Sequence, residues 1–203
     1  MRNFLALMLT LGALGLAGCG YKTFQATEQE AQAGWSEVLN QYQRRSDLVP
    51  ELVNALGGAT ASEQDTLAAV TDALTGVTKI KATSDMLNNP WAFARFVEAQ
   101  ARLSSALSRL RRMVEKYPDL KANLGYRAQR AQLEETESRV AMARDRYILA
   151  AQGYNSAVRT FQGTANLLHY SVKPTFSAGE EKAIVVFPKV RREVTYEGSE
   201  VAR

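Results

Sequence analysis

Apolar and aromatic side chains return every three or four positions through most of the chain, which is the period of an α-helix. Trp35, Val38, Leu39, Tyr42, Val49, Leu52 and Leu56 mark a first helix from about Thr23 to Leu56. Pro50 lies inside it, where it removes one main-chain hydrogen bond and should bend the rod, and Gly57-Gly58 end it. Ser62, with Asp65 three residues on, offers a cap to a second helix that carries Leu67, Val70, Leu74, Val77 and Ile80 and closes at Asn88-Asn89-Pro90. Asn89 can cap a third helix whose first position is Pro90, where a missing N–H is tolerated. That helix carries Phe93, Phe96, Val97, Leu103, Leu107, Leu110 and Val114 and stops at Tyr117-Pro118.

Between Pro118 and Pro174 there is no further proline, and the helical period continues from Leu120 through Val140, Tyr147 and Tyr154 to Phe161. One helix reaching roughly 70 Å is expected. Opposite charges four apart, as in Glu98/Arg102 and Glu135/Arg139, support helix on solvated faces. Short links between four helices predict an all-α fold: an elongated antiparallel four-helix bundle, up-down-up-down, with one long C-terminal helix. With the end of the first helix level with the start of the last, Arg45 falls opposite positions 131–135. Arg44 or Arg45 should then pair with Glu134 or Glu135 as structural ion pairs that fix the register, because an arginine on the Tyr42–Val49 stripe needs a partner. The last helix, at about 50 residues, outruns the first unless it breaks at Gly153 or Gly163, so Phe161, Leu167, Leu168 and Tyr170 should be left exposed. Residues 171–203 read as a flexible tail with one sticky patch, Ile184-Val185-Val186-Phe187, suited to fold back as a lid or to contact a partner.

The N-terminus sets a compartment. Arg2 precedes an apolar run, and from Phe4 to Gly18 is 15 residues, short of the roughly 20 that a helix needs to cross a hydrocarbon core. Leu16-Ala17-Gly18-Cys19 follows and matches the bacterial lipobox. That resemblance implies that residues 1–18 are a signal peptide, that Cys19 is the lipidation site, carrying a diacylglycerol thioether and an acylated amine, and that residues 19–24 tether a body spanning 25–170. Palmitate-type acylation would hold the chain in the membrane essentially permanently. Gly20, in place of an aspartate after the cysteine, predicts sorting to the outer membrane, facing the periplasm, in a host with two membranes.

Composition narrows the chemistry. Lys+Arg 25 against Asp+Glu 21 gives a net charge of +4, without the clustered positive face of a nucleic-acid binder, so no nucleic acid is expected as a partner. Cys19 and His169 are the chain's only cysteine and histidine, which leaves no Cys/His zinc set, iron–sulfur set or Cys–His dyad. Glu134, Glu135 and Glu137 lack the Glu-x-x-His step of a di-iron bundle. No phosphate-binding glycine loop, Gly-x-Ser-x-Gly or His-Glu-x-x-His string is present. No cofactor, metal or catalytic residue is predicted, and the chain is not expected to be an enzyme.

Three blocks carry a family resemblance. Gln41-Tyr42-Gln43-Arg44-Arg45-Ser46-Asp47-Leu48-Val49-Pro50-Glu51-Leu52-Val53, then Glu115-Lys116-Tyr117-Pro118-Asp119-Leu120-Lys121-Ala122-Asn123, then Leu133-Glu134-Glu135-Thr136-Glu137 resemble the LemA family in content, order and spacing, over about residues 25–161. Relatives repeat a Tyr-Asn pair in the last helix; this chain keeps Tyr154-Asn155 but has Tyr147-Ile148, and it has Phe161-Gln162 in place of a Phe-Pro. The resemblance implies a membrane-anchored extracytoplasmic bundle without an assigned catalytic activity, and an envelope partner such as a membrane protease. Two functions follow: a lipid-tethered scaffold that positions other envelope proteins, or a module holding a lipid or cell-wall glycan between its helices. The alanine-rich seam of the last helix favours close packing and the scaffold.

Overall fold

Asn89 accepts a hydrogen bond from the Ala92 amide at 3.1 Å while Pro90 fills the first helical position, so the third helix starts where its cap requires. The computed structural model of the chain describes residues 2–57 and 61–176, with residues 2–21, 61 and 62 given by backbone alone. Its helices are α1 (Arg2–Asn54), α2 (Ala61–Thr78), α3 (Pro90–Val114), α4 (Pro118–Ala122), α5 (Leu124–Thr160) and α6 (Gln162–Leu167), with a 3₁₀ turn at Ser84–Asn88. The protein is all-α, and no strand occurs among the described residues.

Antiparallel order follows from which residues lie level. Gly34 sits against Tyr147, Gly125 against Ala55, and Gln129 donates to Glu51 at 2.7 Å, so α5 descends as α1 rises. Trp35 meets Phe93, Tyr42 meets Phe96, and Arg45 meets Gln100, so α3 rises with α1. α2 descends between them and packs on both. The core divides along the rod into an aromatic middle around Trp35, Phe93 and Tyr147, an aliphatic far end around Leu56, Leu103 and Leu110, and a near end around Phe24 and Tyr154.

Five expectations are corrected. The long last helix breaks at Asn123, whose backbone turns to ψ 122° while its side chain accepts from the Tyr126 amide at 3.0 Å; the side chain caps a new helix where the apolar period alone would continue the old one. α5 is then 37 residues, about 55 Å. It ends at Thr160, three residues before Gly163. The proposed tether at 19–24 is helical: α1 runs unbroken from Arg2, and Phe24 is already fully buried. α1 therefore extends past the end of α5, and Tyr170 stacks on Phe24 instead of lying bare, although Phe161, Leu167 and Leu168 are exposed as expected. α2 stops at Thr78, before Ile80. Finally, the boundary at residue 171 falls too early, because Lys173, Pro174 and Phe176 are buried against the bundle. Residues 177–203, with the Ile184 to Phe187 patch, lie outside the described residues.

Candidate functional site

Where α6 ends, the chain is turned back onto the bundle by a closed set of main-chain bonds. The Tyr170 amide reaches the Ala165 carbonyl at 2.9 Å and the His169 amide reaches Asn166 at 3.4 Å, with His169 at φ 58° between them. This is a Schellman closure with histidine where glycine is usual, at a cost of about 1–2 kcal/mol. His169 thus serves as the left-handed residue of a helix stop.

The next residues form a strap across α1 and α5. Asn155 grips Lys173 from both sides, accepting from its amide at 2.7 Å and donating to its carbonyl at 2.9 Å. The Tyr147 hydroxyl donates to the Pro174 carbonyl at 2.6 Å. The Lys173 ammonium, 2% exposed, donates to Glu28 at 3.0 Å and lies 4.5 Å from the centre of the Tyr154 ring. Phe176 enters a box of Phe93 (5.2 Å), Tyr147 (5.9 Å) and Trp35 (6.2 Å), and the Arg144 guanidinium covers its ring at 4.5 Å. Trp35 is itself held by a 3.1 Å bond from its indole N–H to the Thr83 carbonyl. Burial pushes the Tyr147 and Tyr154 phenols far above their ordinary range, with the Glu28 charge adding to the effect at Tyr154. Both hydroxyls therefore stay protonated, and Tyr147 remains a donor.

The proposed ion pairs meet a different fate. Arg45 is buried, but it turns toward α3: its guanidinium donates to Ser104 Oγ at 2.7 Å, to Gln100 Oε1 at 2.6 Å and to the Gln100 carbonyl at 3.1 Å, with the Tyr42 ring 5.0 Å away. Glu134 pairs with Arg130 at 2.9 Å and Glu135 with Arg139 at 2.7 Å, both within α5. The expected level was right, since Arg44 is close enough for its charge to help hold the Glu135 carboxyl below the usual range, after the larger effect of Arg139. The direction was not. Arg45 shares its stripe with Tyr42 and Val49, and that stripe faces α3.

Two open clefts flank this polar seam. A cleft of about 630 Å³ among α1, α2 and α3 is lined by Leu39, Tyr42, Ile80 and Phe96 with Ser36, Ser46 and Gln100. Another of about 610 Å³ between α2 and α3 carries Lys79, Arg95, Arg102 and Arg109 beside Asp72 and Glu98. Among the described residues no group of three His, Cys, Asp or Glu side chains is placed to hold a metal ion, and no helix is long and apolar enough to cross a membrane. The side chain of Cys19 lies outside the described residues.

Sequence reasoning missed Glu28, Asn155 and Lys173 as a unit. The signal available was the retained Tyr154-Asn155 pair: an asparagine on a buried helical face needs hydrogen-bond partners, and none was visible nearby in the sequence.

Fold and seam together define an antiparallel helical bundle closed by a C-terminal strap. The LemA family model matches residues 34–191, most of the chain and past the strap, and the chain belongs to the LemA family. No curated protein matches it.

Proposed function

We propose that this LemA-family chain is a lipid-anchored, non-catalytic scaffold of the bacterial cell envelope that positions other envelope proteins, a membrane protease among them. The observation that supports this reading is the continuity of α1, which runs from Arg2 through the Cys19 position to Asn54 without a break. After cleavage before Cys19, the acyl anchor would sit on the first residue of a helix that is built into the core from Phe24 onward. A rod joined stiffly to its anchor presents its surfaces at fixed heights above the membrane. Gly20 after the cysteine supports sorting to the outer membrane in a two-membrane host. The second reading, a module for a lipid or cell-wall glycan, draws on the cleft lined by Ser36, Ser46 and Gln100; its mixed polar and aromatic walls suit a glycan better than an acyl chain.

Cys19→Ser is expected to abolish palmitate labelling and to leave the chain as an unprocessed precursor or in the soluble fraction. Labelling that persists in the variant removes the anchor from the proposal. Crosslinking of the acylated protein in intact cells then separates the two functions: a reproducible protein partner supports the scaffold, and recovery of glycan or lipid alone supports the module.

A further inference from the structure

The strap is held the way folded domains hold segments of other molecules: side chains of a rigid body read an extended main chain, and pockets take the alternate side chains. Asn155 satisfies both peptide groups of Lys173, and Tyr147 satisfies Pro174. Glu28 and the Tyr154 ring form a pocket for an ammonium, and Trp35, Phe93 and Tyr147 form a box for an aromatic ring three residues further on. The proline between them has a fixed φ, so less freedom is lost when the segment docks. Lys173-Pro174-Thr175-Phe176 is thus a ligand whose complement is complete in the bundle, and any copy of this chain carries both halves.

The linker that delivers the strap is short and strained. It turns at His169, at φ 58°, beside Leu167 and Leu168, which are 78% and 40% exposed, and Phe161, which is 39% exposed. Three large apolar side chains left bare beside a turn under backbone strain favour an arrangement that relaxes the turn and covers them. We propose that the groove is a peptide-binding site that takes the strap of a second copy of this chain. Two molecules exchange residues 172–176 and cover Phe161, Leu167 and Leu168 against each other. Exchange preserves every strap contact, so the closed monomer dominates when dilute and the exchanged dimer forms with rising concentration.

The test uses the full-length chain with Cys19→Ser in detergent micelles, which makes the outcome independent of acylation. Sedimentation should show a monomer–dimer equilibrium that shifts with concentration and that Lys173→Ala/Phe176→Ala abolishes. A fluorescent peptide of residues 170–177 should bind that double variant, whose own strap is weakened, at least about tenfold more tightly than it binds the native chain. Adding Asn155→Ala should remove the binding, as should alanine at the peptide's lysine and phenylalanine. The proposal is overturned if the native chain stays monomeric at every concentration, or if the double variant keeps its helicity and binds the peptide no better than the native chain. If the double variant loses its helicity, hydrogen exchange on the native chain decides. Strap amides that exchange well ahead of the α1 and α5 core support an opening strap, and exchange only at the core's rate overturns it.

Discussion

Arg45 and Lys173 are the buried cations among the described residues, and they are kept by different means. Lys173 has a carboxylate, Glu28, at 3.0 Å. Arg45 has neutral oxygens from Ser104 and Gln100, which suit a planar fork of donors that needs several acceptors more than it needs one charge. Hydrogen bonds to charged groups are worth about 1.5–3 kcal/mol, so Arg45→Met is expected to cost about 2–3 kcal/mol in denaturant unfolding. Glu134→Gln and Glu135→Gln, each removing an exposed pair within one helix, should cost less than about 1 kcal/mol. A double-mutant cycle should find coupling between Arg45 and Gln100 and none between Arg45 and Glu134.

The pairing of α1 with α5 depends on Gly34. A Cβ built there lies 3.2 Å from the Tyr147 Cα, and backbone cannot give way as a flexible side chain can. Gly34→Ala should therefore lower the melting temperature despite alanine's better helix propensity. Gly153, in the same helix pair with nothing within 4 Å, should do the opposite: Gly153→Ala is expected to stabilise by about 0.5–1 kcal/mol. At the far end, α4 is tied by exposed charges, with Glu115 receiving Lys121 at 2.6 Å and Arg130 at 3.1 Å. The Lys121 bond, then Arg130, holds the Glu115 carboxyl below its ordinary 4.5. A carboxyl whose folded value is depressed stabilises the fold above its unfolded value and loses that contribution as pH falls through the folded one. Acidification below pH 4.5 should reduce the hydrogen-exchange protection of α4 before that of α1. Equal loss in both helices would mean that this cluster does not hold the end.

For the whole bundle, the strap adds buried contacts across α1 and α5. A chain truncated after Phe176 keeps the Lys173, Pro174 and Phe176 contacts. One truncated after Ser171 loses the burial of Phe176 and leaves Glu28 and Asn155 without Lys173. Burying a large apolar side chain is worth about 2–3 kcal/mol, and for a protein of this size that corresponds to a fall in Tm of about 5–10 °C, readable by circular dichroism. Identical melting of the two truncations would show that the strap adds nothing to the fold.

The start of α1 and the end of α2 are not legible in the order of residues, whereas the all-helical period, the Asn89-Pro90 start, the antiparallel order and the level of Arg45 against residues near 135 are. Each rests on a local property: a 3.6-residue period, a cap within three positions, or a rise of 1.5 Å per residue. The break at Asn123 is also local, yet a single side chain capping its own backbone leaves the apolar period around it unchanged, and so it went unread. Packing decided the rest. Each residue turns the helix by about 100°, so length sets the height of Arg45 but not whether it faces α3 or α5. Lys173 in a proline-containing segment looks solvated until Glu28, 145 positions earlier, is brought beside it. Such a pairing has no period and no fixed spacing, because it exists only once α1 and α5 have closed around the strap.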